Sequence, residues 1–182
     1  MVTRSKASDF LTQQTVSDIL EDSTGFIWII TAEGANRYDG HEVVAFTHDR
    51  KNPESLSHQH TSGIAQTATG DIWISTLGGG LNRLNSTTLG FDRLRKASAT
   101  YSGQLISDNI SAIEAGGSGG LWIGYADASS FSKLNDESLT VRHYDLPAVA
   151  SGKPIIDFVE GRDGSVYIAI DGAGVYTLAP NS

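Results

Sequence analysis

Apolar and polar residues alternate along this chain over short runs, with turn residues between them, and the pattern recurs. The first set is Val16-Ser17-Asp18-Ile19-Leu20, then Phe26 to Thr31, then Ala35-Asn36-Arg37-Tyr38, then Val43-Val44-Ala45-Phe46. Ser23-Thr24-Gly25, Ala32-Glu33-Gly34 and Asp39-Gly40 separate them. The runs are dense in β-branched and aromatic residues, which suit a half-buried pleated surface. They predict four successive antiparallel strands. Asp39-Gly40 reads as a two-residue hairpin, because both positions tolerate φ > 0. The order returns with Gly63 to Gln66, Ile72 to Thr76, Leu81 to Leu84 and Phe91 to Leu94. It returns again with Ile110 to Ile113, Leu121 to Tyr125, Phe131 to Leu134 and Val141 to Tyr144. The last set has only Ile156 to Val159, Val166 to Ile170 and Gly174 to Leu178, with no outer strand of its own.

Each set carries a glycine, two residues and an aromatic: Gly25 to Trp28, Gly70 to Trp73, Gly119 to Trp122 and Gly164 to Tyr167. The aromatics are 45, 49 and 45 residues apart. A near-fixed period in the forties with four short strands per repeat predicts β-propeller blades. The expected fold is all-β, a propeller fragment of about four blades of four-stranded antiparallel sheet, the fourth incomplete. The blades run about 15–60, 61–109, 110–154 and 155–182, after a leader with a ring-closing strand at 1–14. Trp28, Trp73, Trp122 and Tyr167 are expected between neighbouring blades, where a large ring buries much area. The glycines serve the turns into that strand. Gly116 to Gly120 reads as the same turn enlarged. It is not a phosphate cradle, since no helix follows it.

Asp22 to Ile29, Gly34 to Gly40 and Gly80 to Leu84 resemble the two-component regulator propeller repeat, with Asn52 to Ser57 similar to its usual linker between blades. The likeness spans nearly the whole chain and is closest in the first two copies. Ala128 to Phe131 departs from it, as do Tyr167 in place of Trp and Thr177 in place of Arg. The resemblance implies the extracytoplasmic, ligand-sensing input region of a bacterial inner-membrane receptor. The chain itself would be non-catalytic, ahead of a histidine kinase, a hybrid two-component output or a diguanylate cyclase. It implies rings of about seven blades, of which this chain resembles the first half. Asp9-Phe10-Leu11-Thr12 resembles the strand that closes such a ring. Binding at the loops would shift propeller packing and so the membrane helix and output behind it, through a difference in affinity between two states. The alternatives are a dimerising scaffold and a propeller lyase or hydrolase.

Composition narrows the partners. The 182 residues suffice for one sizeable core, and the charge of −8, from 13 basic and 21 acidic residues, argues against nucleic acid and an anionic membrane surface. No cysteine is present, which excludes disulfides, thiolate zinc sites and a cysteine nucleophile. No run approaches the ~18 apolar residues of a membrane span. Met1 to Lys6 is polar and leads into no apolar stretch, so a signal peptide is expected to be absent or already removed.

Candidate chemistry falls on loops. Turns between second and third strands share one propeller face with the blade-to-blade connections. That face gathers Ala32-Glu33-Gly34, Leu77-Gly78-Gly79, Ala126 to Ser129 and Asp171-Gly172-Ala173. The connections add Leu56 to His60, Ile106 to Asn109 and Gly152 to Pro154. Glu33, His58, His60, Tyr125, Asp127 and Asp171 are the candidate ligand-binding residues, for a small molecule or an oligosaccharide. His58 and His60 alternate, but two histidines without a third ligand make a weak metal site, so no metal, cofactor or catalytic residue is assigned. Arg37 and Arg83 are expected to pair with a carboxylate such as Asp22. Glu21 and Asp22 point to opposite faces of a strand and cannot flank one glycosidic bond. An open stack leaves blade faces and strand edges uncovered. The chain is therefore expected to associate with itself through them, or to use Phe10-Leu11-Thr12 as the missing strand of the fourth blade, within or between chains.

Overall fold

The computed structural model describes residues 2–97 and 104–180. Met1, residues 98–103 in the second connection and Asn181 and Ser182 lie outside the described residues, as does that part of the boundaries expected for the leader, second and fourth blades. The chain forms four antiparallel sheets in sequence order. The first contains β1 (Val16–Glu21), β2 (Ile27–Thr31), β3 (Gly34–Tyr38) and β4 (Val43–Phe46). The second contains β5 (Thr61–Gln66), β6 (Ile72–Thr76), β7 (Gly80–Leu84) and β8 (Phe91–Leu94). The third contains β9 (Ile110–Ala115), β10 (Leu121–Tyr125), β11 (Ser130–Asn135) and β12 (Thr140–Asp145). The fourth contains β13 (Ile155–Glu160), β14 (Val166–Ile170) and β15 (Gly174–Leu178), with β15 at its outer edge. These are four propeller blades, the last with three strands.

The blades stack in one direction. Leu20 sits opposite Trp28, and Ala65 opposite Trp73, on the face that meets the next blade. Trp28 shares a core with Ile64, Ile72 and Ile74 of the second blade. Trp73 shares one with Ile113, Leu121 and Ile123 of the third. Trp122 shares one with Phe158, Val166 and Ile168 of the fourth. Tyr167 holds the same register position but is 44% exposed, because no described blade follows it. At the other end Ile19, the counterpart of Ile64, is 64% exposed because no described blade precedes it. The expectation for the anchors therefore holds for the three tryptophans and not for Tyr167.

The turns into the anchor strands are uniform. Gly25, Gly70, Gly119 and Gly164 have φ of 89°, 89°, 90° and 81°, a conformation that L side chains rarely adopt. Asp22 N–H donates to Phe26 C=O (2.9 Å), Thr67 N–H to Asp71 C=O (3.0 Å), Gly116 N–H to Gly120 C=O (2.9 Å) and Gly161 N–H to Ser165 C=O (2.7 Å). The Gly116–Gly120 turn is thus the same size as the others, its extra glycines filling ordinary positions. The longer 49-residue step comes from the turn 77–79, the loop 85–90 and the connection 95–109.

Three other local expectations change. The loop after β3 has four residues, 39–42, closed by Asp39 N–H to Glu42 C=O (3.3 Å) and by the Asp39 carboxylate accepting from the His41 and Glu42 amides. Lys6–Asp9 is a single 3-10 turn, and Thr12 lies on the first blade, its amide donating to Asn36 Oδ1 (3.0 Å). Phe10-Leu11-Thr12 therefore does not complete the fourth blade within the chain. Arg37 lies 4.5 Å over the Phe26 ring instead of pairing with Asp22, a favourable cation–π geometry. Arg83 does pair with a carboxylate, but that of Asp71, at 2.7 Å.

Asp22 instead fastens the first anchor. Its Oδ2 accepts from Trp28 Nε1 (2.8 Å), and its Oδ1 accepts from the Thr24 amide and hydroxyl and the Phe26 amide. Burial opposes ionisation here, but these donors outweigh it and hold the carboxyl below its ordinary 3.8. A depressed carboxylate contributes stability that is complete above its unfolded pKa and is lost as pH falls through the folded one. Asp22→Asn is expected to cost about 1.5–3 kcal/mol at pH 7. It should also flatten the loss of stability below pH 3.8, as thermal melts of both proteins from about pH 7 to about pH 2.5 would record.

Candidate functional site

One end of the blades is tied into a continuous loop face. Each turn between second and third strands donates an amide to the connection entering its own blade. The bonds are Ala32 N–H to Thr15 C=O (3.2 Å), Leu77 to His60, Ala126 to Asn109 and Asp171 to Pro154 (each 2.9 Å). The turns and connections expected to share a face do so. Glu33, His60, Asp127 and Asp171 are exposed on it, and His58 is half-buried. Asp127 accepts from Asn109 Nδ2 (2.6 Å), and Lys153 Nζ reaches the Gly172 carbonyl (2.7 Å) beside Asp171.

His58 and His60 are in contact, with ring centroids 5.3 Å apart, and His48 joins them 6.4 Å from His58. His48 follows β4, and its ring is held by a bond between Nδ1 and the Leu56 carbonyl (2.7 Å). His58 Nδ1 accepts the His60 amide (3.2 Å). Burial, with His60, His48 and Arg95 nearby, lowers the pKa of His58. The ring is therefore neutral at neutral pH, in the state that accepts this amide. The three rings pack side by side. Among the described residues no group of three or more His, Cys, Asp or Glu side chains is placed to hold a metal ion.

Tyr125 has a different place. It is 1% exposed in the core between the second and third blades. Its hydroxyl pairs with Ser132 Oγ (2.9 Å) and accepts from the Ile106 amide (3.4 Å). In the first two blades an asparagine does this work. Asn36 Oδ1 accepts the Thr12 amide (3.0 Å), and Asn82 Oδ1 accepts the Ser57 amide (2.7 Å). Both carboxamides also donate at 3.1 Å to the neighbouring strand, at Ile29 and Ile74. In the third blade Ser132 stands at the asparagine position and Tyr125 where Thr31 and Thr76 stand. The tyrosine hydroxyl takes over the carboxamide's role of fixing the incoming connection. Burial, the largest influence on it, pushes the phenol above its ordinary pKa.

A cleft of about 690 Å³ lies on the opposite face, between the third and fourth blades. Trp122, Tyr144, Val166 and Leu178 form its apolar wall, and Lys133, Arg142, Glu160 and Asp163 are among its polar groups. Lys133 Nζ lies 4.6 Å over the Trp122 ring, and Trp122 Nε1 donates to Glu160 (3.2 Å). The sequence signal for this cleft was the missing outer strand of the fourth blade.

No protein-family model matches the chain, and no curated protein matches it. Solved structures do. The extracellular domain of BT3049 from B. thetaiotaomicron, assigned as a hybrid two-component system, superposes with a TM-score of 0.80 at 24% identity, over 94% of this chain and 24% of that one. The extracellular domain of BT4673 from the same organism, assigned as a one-component system, gives 0.74 at 20% identity, over 96% of this chain and 25% of that one. Virginiamycin B lyase from Staphylococcus aureus gives 0.65 at 11% identity, over 94% of this chain and 58% of that one. At these identities the likeness is one of fold. This chain spans about a quarter of the two extracellular domains. Among the described residues no helix is long and apolar enough to cross a membrane.

Proposed function

We propose that these blades form part of the extracytoplasmic sensory region of a bacterial signalling receptor. In this reading the loop face takes up a small molecule or an oligosaccharide. Uptake biases the packing of the blades, and through it a kinase or cyclase output. What supports the reading is the superposition on the BT3049 extracellular domain at a TM-score of 0.80 over 94% of the chain. The lyase superposes less well, at 0.65, so the non-catalytic reading is preferred. The exposed rows at Ile19 and Tyr167 are the accompanying proposal for self-association.

The test is a thermal-shift screen of the chain against oligosaccharides, peptides and small metabolites. A ligand at a hundred times its Kd adds about 2.7 kcal/mol, which raises Tm by roughly 5–11 °C for a domain of this size. His58→Ala and Asp127→Ala should each reduce the shift while leaving the ligand-free Tm within about 2 °C. No shift from any class would favour a dimerising scaffold.

A further inference from the structure

Cationic groups gather along the connection between the first and second blades. His48, His58 and His60 pack ring against ring, and Arg93 and Arg95 lie beside them. Both arginines aim their N–H groups at backbone carbonyls of that connection. Arg93 reaches Asn52, Ser55 and Leu56 at 2.8–3.2 Å, and Arg95 Nη2 reaches Ser57 at 2.9 Å. Arg95 Nε is buried without a partner among the described residues. The ion pairs among the described residues are Arg4 with Asp9 and Arg83 with Asp71, so no carboxylate neutralises any of the five. Asp49 and Asp108, carried by neighbouring segments, accept instead from the Lys51 and Lys96 amides (2.9 and 2.7 Å). Glu33, on the turn of the first blade, pairs with none of the five either. In a chain of net charge −8 this local excess runs against the whole.

The rings retain donors for a guest. His48 Nδ1 faces the Leu56 carbonyl and therefore carries a proton. His58 Nδ1 accepts the His60 amide, so a neutral His58 keeps its proton on Nε2, and no described group pairs with that atom. Burial, then His60, His48 and Arg95, disfavours a charge on His58. An anion reverses that balance, because it favours the charged form of every group around it. The position also touches the joints between blades. The His58 ring lies over Gly78, where a Cβ would meet ring atoms at 3.6–3.7 Å. The Gly78 and Gly80 amides both donate to the Asp108 carbonyl (3.0 Å each), in the connection to the third blade. A group held on His58 thus bears on the turn that ties the second blade to the third.

We propose that this part of the loop face is an oxyanion site, which takes the carboxylate or sulfate of an acidic sugar on His48, His58 and His60 with Arg95 beside them. The inference rests on the loop face being the binding face of the sensory region, and it narrows the ligand to an anion. Charge-assisted hydrogen bonds supply the attraction. His58, neutral when free, takes up a proton as the anion arrives, so affinity rises as pH falls. A neutral sugar gains nothing from the cluster.

Calorimetric titration of the 182-residue protein with glucuronate, a sulfated glucose, glucose and sodium sulfate is the test. Both acidic sugars should bind, roughly fivefold or more tightly at about pH 5.5 than at about pH 7.5. The heats in buffers of different ionisation enthalpy should report proton uptake. Glucose should not bind. Replacing His58 and His60 together by asparagine should weaken both acidic sugars about tenfold or more. If that variant does not fold, the imidazole NMR signals of the unaltered protein decide, since glucuronate should move them. The proposal is overturned if neither acidic sugar binds, if glucose binds as well as they do, or if those signals stay still. Sodium sulfate binding as tightly as the acidic sugars also overturns it, for the site would then read a free anion. A neutral oligosaccharide that raises Tm equally in the protein and the double variant would remove this site and leave the sensory reading standing.

Discussion

Replacing Trp28 with alanine lowers the stability of this protein by about 3–5 kcal/mol, while Tyr167→Ala costs less than about 1 kcal/mol. The two residues hold one register position in two copies of one blade, so sequence position alone would assign them equal weight. Their surroundings separate them. Trp28 is 1% exposed, lies 5.4 Å from the Phe46 ring and is fastened by Asp22. Its removal leaves a cavity in the interface with the second blade and orphans an acceptor. Tyr167 already faces solvent over much of its surface. Trp73→Phe should be milder than Trp28→Phe, because Trp73 Nε1 is buried without a partner among the described residues and phenylalanine removes that donor. Chemical denaturation of the four variants measures all of these differences. Equal losses for Trp28→Ala and Tyr167→Ala would contradict the directional stacking.

Tyr125 and Ser132 are expected to behave as one unit. Tyr125→Phe removes the acceptor for the Ile106 amide and should cost about 1–3 kcal/mol. Tyr125→Thr alone leaves a cavity and should cost about 3–5 kcal/mol. Ser132→Asn alone crowds the buried tyrosine and should cost about 1–3 kcal/mol. Together, Tyr125→Thr and Ser132→Asn rebuild the arrangement of Thr31 with Asn36 and Thr76 with Asn82. The double variant should be more stable than the sum of the singles predicts, by about 1–3 kcal/mol. A double-mutant cycle by urea unfolding reads that coupling. Strict additivity would mean that the tyrosine hydroxyl does not replace the carboxamide.

What was legible in the sequence and what was not divide on a physical line. The strands Ile72–Thr76, Leu121–Tyr125 and Val166–Ile170 were placed to the residue, because β-branched runs bounded by glycine carry their own signal. The stacking of blades followed from the repeated aromatic. Features that depend on a partner distant in sequence were invisible. Tyr125 was among the candidate ligand contacts, yet it stands in the core where its counterparts are Thr31 and Thr76. Its departure is compensated across the strand pair by Ser132, which no local pattern reveals. Asp22 was matched with an arginine by charge, whereas an indole N–H claims it. His48 joined the histidine group only through a bond to Leu56. The cleft at Tyr144 had a signal in the short fourth set of strands, but its lining, drawn from two blades, did not.

The direction of stacking gives the assembly a chemical head and a tail. Among the described residues one end presents Ile19, the other Tyr167 with Val159 and Val175, and every internal joint is the same head-to-tail contact. A chain built in this way can gain or lose whole repeats without inventing a new joint, since each unit offers what the next already accepts. Length is thereby separated from local chemistry. Loops can diverge blade by blade while the joints between blades remain interchangeable.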